Sequence, residues 1–287
     1  MNNILEISHL NKRYEEFLLQ NVSFSVPQGY IMGFIGPNGA GKTTTIKSIL
    51  GMVYPDSGTV KILGSEISSE NTEIKDDIGV VMDLPFYVDE WKIKDVEAAV
   101  SPFYSRWNSK VFADFVRKFG LIQNKKVKEL SRGMKVKLML AIALSHEAKL
   151  LILDEPTSGL DPVARDELMD ILRDYMLDET KGILFSTHIT SDLEKIADYI
   201  TFIINGKIVF TGQKDKLLES YFLVKGGISD LNSLQKKLII GYREHSAGFE
   251  GMIKAENIGM LPENIIFEKI SLDEIIIYMN KEGTSHE

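Results

Sequence analysis

A glycine-rich segment near the start of the chain carries the residue types that bind phosphate: residues 36–44 read Gly-Pro-Asn-Gly-Ala-Gly-Lys-Thr-Thr. Its three glycines favour backbone angles that residues with a Cβ rarely adopt, so successive N–H groups can point into one concavity and hold phosphate oxygens. Lys42 would place an ammonium on the β- and γ-phosphates, and the Thr43 hydroxyl would take one Mg²⁺ position. The segment predicts a nucleotide phosphate site; the alternative is a glycine-rich turn that binds nothing.

The elements around this segment strengthen the prediction. An apolar run over 30–35 reads as a buried strand, and 44–50 reads as a helix that Gly51 and Pro55 end. A strand, a glycine-rich turn and a helix therefore follow one another. The helix would point its positive dipole end at the same phosphate.

Two carboxylates follow a second apolar strand and could complete the chemistry. Asp154 comes directly after 150–153, at the strand end from which a carboxylate reaches Mg²⁺ beside a phosphate loop. Glu155 is suited to polarise an attacking water as a general base, if the chain turns there. His188 ends a later strand over 182–186 and could donate to the γ-phosphate. The alternatives are a plain acidic turn and a structural histidine.

Tyr14 stands just ahead of the phosphate loop, between two predicted strands. A flat ring at this place could stack on a purine base. Packing within the protein is the other interpretation of the residue, and the sequence leaves both open.

Hydrophobic periodicity predicts an α/β chain whose pattern changes from strand-like to helical in the middle. Further strands are expected over 4–10, 19–26, 58–63 and 78–82, and helices over 93–100, 110–119 and 134–144. We interpret residues from about 84 to 146 as a helical insertion in the nucleotide-binding core. Asn205-Gly206 predicts a hairpin, and capping boxes are expected at Ser191 with Glu194 and at Ser271 with Glu274.

Bulk properties exclude several classes of protein. The 287 residues carry 33 basic and 41 acidic side chains, a net charge of −8, which argues against nucleic acid as a partner. There is no cysteine, so the chain has neither a disulfide framework nor a thiolate metal site. We find neither a signal peptide nor an apolar run of about 18 residues, so a second polypeptide would have to supply any membrane-spanning part.

Five motifs in order give the chain a specific resemblance. They are the phosphate loop, Leu130-Ser-Arg-Gly-Met134 ahead of a helix, LLILDEP, Ser158-Gly-Leu-Asp161 and Ser186-Thr-His188. Together they resemble the ATPase subunit of ATP-binding cassette (ABC) transporters over about residues 1–215. The form of the second motif, with Phe103-Tyr-Ser-Arg-Trp107 upstream, is similar to a subgroup of bacterial exporter ATPases. These often handle antimicrobial peptides, toxins, drugs or lipid-like cargo.

The resemblance implies a fold and a division of the chain. The expected fold is a P-loop NTPase core, a mostly parallel sheet with an antiparallel β subdomain, plus a helical subdomain at about 84–146. The ATPase domain is expected over 1–215, and 216–287 would form a small α/β appendage whose role is not readable from the sequence.

The resemblance also implies site residues. ATP would be held by the following: Tyr14 on adenine, and Gly36, Pro37, Asn38, Gly39, Ala40, Gly41, Lys42, Thr43 and Thr44 around the phosphates. Thr43 and Asp154 would hold Mg²⁺, Glu155 would activate water, and His188 would sense the γ-phosphate. Ser131 and Gly133 would contact ATP bound to a second ATPase subunit, and Asp161 would line the seam between the two.

Three positions depart from the family pattern. Asp83 stands where glutamine usually contacts Mg²⁺ and the water; its carboxylate can serve both purposes but adds negative charge beside Asp154 and Glu155. Arg132 stands where glycine is usual, and Met134 where glutamine is usual. Arg132 either adds positive charge near the partner's nucleotide or points at solvent.

The resemblance implies a mechanism and partners. Two ATP molecules would join two ATPase subunits, identical or related, and hydrolysis would open the dimer. The helical insertion, especially residues 84–100, would receive a short helix of an integral membrane permease in a groove, which places the protein in the cytoplasm on the inner face of the membrane. Two alternatives stay open: a cassette ATPase without transport, and a low-turnover regulatory module that holds ATP.

Overall fold

The computed structural model describes residues 2–67, 71, 73–83 and 87–284, so the start of the predicted helical region, 84–86, lies outside the described residues. The chain forms two compact units. The first comprises Met1–His188 with Thr201–Thr211, and the second comprises Ile189–Ile200 with Gly212–Glu287. The predicted division at residue 215 stays a prediction.

The strands and helices of the first unit lie close to where the periodicity predicts them. The strands are β1 (Asn3–Arg13), β2 (Leu18–Pro27), β3 (Ile31–Ile35), β4 (Ser57–Ile62), β5 (Ser65–Glu66), β6 (Ile78–Val81), β7 (Leu150–Asp154), β8 (Gly182–Thr187), β9 (Tyr199–Ile204), β10 (Lys207–Gln213), β11 (Tyr221–Gly226), β12 (Ile239–His245), β13 (Gly248–Lys254) and β14 (Ile266–Lys269). The helices are α1 (Lys42–Ile49), α2 (Ile93–Val100), α3 (Ser109–Lys118), α4 (Arg132–Leu144), α5 (Pro162–Tyr175), α6 (Thr190–Ile196), α7 (Lys214–Glu219), α8 (Ser233–Lys236) and α9 (Leu272–Thr284).

A six-stranded sheet in the order β10-β9-β3-β8-β7-β6 forms the centre of the first unit. β3, β8, β7 and β6 run parallel to one another, and every residue of β3, β7 and β8 is buried. This burial explains why these strands read as continuous apolar runs rather than alternating ones. Because the strands are parallel, their carboxyl ends share one edge, where Ile35 pairs with Thr187 and Asp154 with Ser186.

An antiparallel sheet and a group of helices complete the first unit. The sheet has the order β2-β1-β4-β5, with β1 antiparallel to both β2 and β4. Helices α2, α3 and α4 follow one another between β6 and β7. Asn108 caps α3 by accepting from the N–H groups of Lys110 and Val111. The predicted P-loop NTPase core with an antiparallel sheet and a helical region is confirmed.

The predicted Asn-Gly hairpin and one of the two predicted capping boxes are confirmed, and the other capping box is wrong. Asn205 (φ 46°) and Gly206 (φ 74°) join β9 to β10 in the left-handed conformation that an Asn-Gly hairpin requires. Ser271 and Glu274 form the capping box of α9, with Ser271 N–H donating to Glu274 Oε2 at 2.9 Å. The box at Ser191 is wrong, because α6 begins at Thr190.

The second unit has its own sheet and core. Strands β12-β13-β11-β14 form an antiparallel sheet, which confirms an α/β appendage. Its buried cluster centres on Val224, Phe249 and Ile253, each at most 1 % exposed. Glu194 of α6, which the wrong capping box assigned to its own helix, accepts instead from the N–H of Leu272 at 2.9 Å.

Within the described residues, none of the helices has both the length and the apolar character needed to cross a lipid bilayer.

Candidate ATP-binding and hydrolysis site

The phosphate loop needs its glycines for two different reasons. Gly39 (φ 80°) and Gly41 (φ 110°) occupy the left-handed region, as predicted. Gly36 has no positive φ; a Cβ there would lie 2.3 Å from the carbonyl oxygen of Ile203, so glycine is needed for space. The loop thus rests directly on β9, and its N–H groups lead into the start of α1 at Lys42.

The ammonium of Lys42 is almost fully buried and well supplied with partners. Its side chain is 6 % exposed, and Nζ lies 3.3 Å from Glu155 Oε1. Nζ also donates to the carbonyl oxygens of Gly36 at 2.7 Å and Pro37 at 3.2 Å. A buried cation requires such acceptors, and a bound phosphate would share the lysine with Glu155.

Thr43 and Asp154 meet at the edge of the sheet, as the spacing predicts. Thr43 Oγ1 donates to Asp154 Oδ2 at 2.9 Å, while Asp154 Oδ1 is buried and has no hydrogen-bond partner among the described residues. Burial raises the pKa of Asp154, and the hydrogen bond from Thr43 opposes that shift. A buried carboxylate oxygen that lacks a partner suits a cation.

The donor set here fits Mg²⁺. Within the described part of the chain, no three His, Asp or Glu side chains are grouped as a metal site. Mg²⁺ is commonly held by only one or two protein oxygens together with substrate phosphates, and a hydroxyl beside a carboxylate meets that requirement. Thr43 and Asp154 are therefore the residues that would hold it. Bound there, Mg²⁺ would neutralise charge on the β- and γ-phosphates.

Glu155 turns toward the same site because of its backbone. Asp154 ends a strand, and successive strand residues point to opposite faces. Glu155 has φ 51°, in the left-handed region, so the chain turns there and the carboxylate reaches both Lys42 and His188. Its Oε2 lies 2.7 Å from His188 Nδ1 and also accepts from the His188 N–H at 3.4 Å. Glu155 is thereby held at the edge where β7 and β8 end.

A cavity of about 840 Å³ opens over these residues. Its lining comprises Tyr14, Glu16, Phe17, Asn38, Gly39, Gly41, Lys42, Thr43, Thr44, Asp83, Glu155, Ser158 and His188. Tyr14 is 44 % exposed, and Lys12 Nζ lies over its ring at 5.9 Å from the centroid. The structure thus brings the phosphate loop, Tyr14, Asp83, Glu155 and His188 to one place.

Sequence reasoning missed Phe17, and Gly36, Pro37 and Ala40 of the predicted loop are not among the described lining residues. The ring of Phe17 packs closely on Gly41 and lines the cavity. An aromatic residue three positions after Tyr14 was the available signal. Ala40 is buried, and its carbonyl oxygen accepts from the Gly206 N–H at 3.0 Å, so this hydrogen bond ties the phosphate loop to the turn between β9 and β10.

Ser131, Gly133 and Asp161 are not among the described residues that line this cavity. Ser131 is the exposed N-cap of α4, and its Oγ accepts from the N–H of Met134 at 3.3 Å. Asp161 caps α5 by accepting from the N–H of Ala164, which together with a second such bond holds the pKa of Asp161 below its usual range. Their proposed action on a second subunit's ATP stays a prediction.

Asp83 and Arg132, two of the three residues that depart from the family pattern, contact each other. Arg132 Nη2 forms an ion pair with Asp83 Oδ1, although the two lie 49 positions apart in the chain. Neither earlier interpretation of Arg132 included this contact. Asp83 nevertheless remains in the cavity lining, so its predicted part in catalysis and Mg²⁺ binding stays a prediction.

Comparison with known proteins defines the class of this site. The family model for ABC transporters matches residues 19–158. The chain is 36 % identical over 222 residues to Nod factor export ATP-binding protein I of Burkholderia orbicola (strain AU 1054), covering 75 % of this chain and 73 % of the relative. It is 37 % identical over 215 residues to the lantibiotic transport ATP-binding protein SrtF of Streptococcus pyogenes, covering 74 % and 92 %.

A solved structure of the ATP-binding subunit of an ABC transporter superposes with a TM-score of 0.68 at 29 % identity, covering 75 % of this chain and 91 % of that one. The chain therefore belongs to the ABC transporter ATP-binding family. It is an ATP-binding and ATP-hydrolysing subunit of a transporter, as the motifs predicted.

Proposed function

We propose that this subunit powers export through a separate integral membrane permease, which it joins on the cytoplasmic face of the membrane. The observation that carries the proposal is a second cavity of about 660 Å³ in the first unit, apolar in most of its lining. It lies among α4, β6 and the segment after α2, and its apolar lining includes Leu50, Met52, Ile67, Ile78, Val80, Met82, Tyr87, Phe103, Tyr104, Met139, Ile142 and Ala143. We call it the apolar groove.

The apolar groove has the features of a helix-docking site. Phe103 at its wall is 82 % exposed, and large exposed apolar groups that line a concavity mark interaction surfaces. Met52, Met82 and Met139 give it unbranched, adaptable walls. Glu73, Lys75 and Asp76 supply a polar edge. A short amphipathic helix of a permease, with its apolar face inward, matches this surface.

The groove and the ATP site share a segment of the chain. Met82 lines the groove, and the next residue, Asp83, lines the ATP cavity. A displacement of the segment after β6 would therefore be felt at both places. This adjacency supports coupling between the permease and the nucleotide.

The direction of transport is supported by the relatives. Two similar proteins are named for Nod factor export and for lantibiotic transport. We propose export by analogy with the first of these and with the exporter subgroup that the signature motif resembles.

The proposed cycle uses two ATPase subunits. Lys42 and the loop N–H groups would hold the triphosphate, with Tyr14 stacked on the adenine and His188 at the γ-phosphate. Glu155 would orient and polarise the attacking water. The N-terminus of α4, with the exposed Ser131 as its N-cap and Gly133 in its first turn, would meet the γ-phosphate held by the adjacent subunit, with Asp161 at the seam. ATP would close the pair, and loss of the γ-phosphate would open it.

The groove can be tested by one substitution and a matched control. Phe103→Asp places a charge in the apolar groove and should abolish co-purification of the integral membrane partner from detergent extracts, while MgATP binding persists. Leu177→Asp makes the same change at an 83 % exposed site of the first unit, outside the groove, and should retain the partner. Equal recovery of the membrane partner with both variants would reject the groove as the docking site.

A further inference from the structure

The ion pair of Arg132 with Asp83 joins two segments that are distant in sequence. Asp83 follows β6, and Arg132 is the first residue of α4. The side chains are 37 % and 52 % exposed for Arg132 and Asp83, respectively. Pairs this exposed contribute little to folding stability, so the reason for this one must be sought in what surrounds it.

Packing holds the guanidinium group of Arg132 in place. Its stem lies against Gly159, where a Cβ would come within 2.9 Å of Arg132 Cδ and 3.2 Å of Nε. Arg132 Nε is buried and has no hydrogen-bond partner among the described residues, which leaves the Nη2 end to carry the interaction. Gly159 itself has φ 70°, so glycine is required there on two counts. The side chain of Arg132 thus extends from the start of α4 across Gly159, in the segment before α5, and its guanidinium group pairs with Asp83.

The charges that line the ATP cavity explain what this pair does. Among the described lining residues, Glu16, Asp83 and Glu155 carry carboxylates, whereas Lys42 is the one lysine or arginine. Lys42 is already paired with Glu155 at 3.3 Å. A triphosphate is strongly anionic, so a bare carboxylate at Asp83 would repel it and lower its affinity. Arg132 lies outside the lining but supplies the missing positive charge directly on Asp83.

We propose that Arg132 is a positioning residue for MgATP: it neutralises and orients the Asp83 carboxylate, so that this anion can line the phosphate cavity without weakening nucleotide binding. The two residues therefore act as one neutral unit within a single chain. The inference rests on the proposed function only in taking MgATP as the ligand, and it needs neither hydrolysis nor a second subunit.

Equilibrium binding of a fluorescent ATP analogue with Mg²⁺, measured on the full chain, tests the pair. Arg132→Gln should weaken binding about fivefold or more, because Asp83 then lies uncompensated beside the phosphates. The same Arg132→Gln change in an Asp83→Asn background should have an effect of less than about twofold. Arg132→Lys, which keeps the charge, should retain most of the affinity. Increasing salt should reduce the loss in Arg132→Gln, since the repulsion is screened.

Controls separate this mechanism from loss of structure and from failure of the proposed function. Arg173→Gln breaks a comparable exposed pair, with Asp170 at 2.7 Å, outside the site and should leave affinity unchanged. Thermal unfolding should place Arg132→Gln within about 2 °C of the natural chain. If Arg132→Gln weakens binding equally with Asp83 and in the Asp83→Asn background, the arginine acts only through its packing and the proposal is wrong. If the natural chain fails to bind MgATP at all, the proposed function fails instead.

Discussion

Replacing Glu155 by glutamine keeps the side-chain shape and removes the charge that we assign to water activation. Glu155 is mostly buried, 14 % exposed, and fixed by Lys42 at 3.3 Å and His188 at 2.7 Å. A glutamine keeps one acceptor oxygen where Glu155 has two, because its NH₂ group is a donor, and it is a far weaker base. Since general base catalysis contributes about 10²- to 10⁴-fold, we expect the hydrolysis rate to fall by that factor.

The MgATP affinity of Glu155→Gln should not fall with its hydrolysis rate. The attraction between unit charges 3.3 Å apart lies between about 1 kcal/mol in bulk water and about 5 kcal/mol at an effective dielectric constant of 20. Glu155→Gln removes this competition for Lys42, so MgATP affinity should be retained or increase. A loss of hydrolysis with no loss of affinity distinguishes a catalytic role from a structural one.

The assay is single-turnover hydrolysis of labelled ATP by the complex with its membrane partner, alongside equilibrium nucleotide binding. Glu167→Gln serves as the matched control, because Glu167 pairs with Lys137 on the surface, away from the cavity lining. The reasoning is refuted if Glu155→Gln keeps more than about a tenth of the natural rate, since a general base contributes at least about 10²-fold.

Two further predictions concern Tyr14, which we place against the adenine base, and His146, which stacks on the groove residue Tyr104. Tyr14→Ala should weaken MgATP binding about fivefold to 150-fold, the range of base stacking on an aromatic ring, whereas Tyr14→Phe should bind like the natural chain; equal loss in both would point to the hydroxyl instead. Burial lowers the pKa of His146, which stacks on Tyr104 with ring centroids 3.9 Å apart and contacts the carbonyl oxygen of Asp76 through Nδ1 at 3.1 Å. In the unfolded chain this histidine takes up a proton near pH 6.5, whereas in the folded chain it does so only at lower pH. As the pH falls below about 6.5, the histidine therefore lowers the free energy of unfolding, by at most about 1.4 kcal/mol per pH unit. Denaturant midpoints between pH 7 and 5 should fall less steeply in His146→Phe, and an unchanged slope would contradict the assignment.

The sequence predicted most of the fold because local signals and fold agree. The strands that form the parallel sheet are buried on both faces, so they appear in the sequence as apolar runs. The Asn-Gly dipeptide predicts the hairpin directly, because it favours the turn that joins two adjacent strands. The second unit was harder to predict. Strands β13 and β14 lie in a sheet whose order, β12-β13-β11-β14, depends on pairings between distant segments.

At the site, residue types were predictable and their contacts were not. The spacing of Lys42, Thr43 and Asp154 was enough to predict that these residues lie together at the sheet edge; their phosphate and metal roles stay predictions. Gly36 was assigned an unusual backbone angle, whereas the carbonyl oxygen of Ile203 is what excludes a Cβ there. The pairing of Arg132 with Asp83 depends on how α4 packs relative to β6, which no local pattern encodes.

The most direct test is a structure of the Glu155→Gln variant in complex with its membrane partner and MgATP, determined by electron cryo-microscopy. We predict ATP held at Lys42 with Ser131 facing a phosphate bound to the adjacent ATPase subunit, and a permease helix seated in the apolar groove. Nucleotide bound away from Lys42, or Ser131 remote from every neighbouring phosphate in the closed assembly, would contradict the proposal that shared ATP drives this transporter.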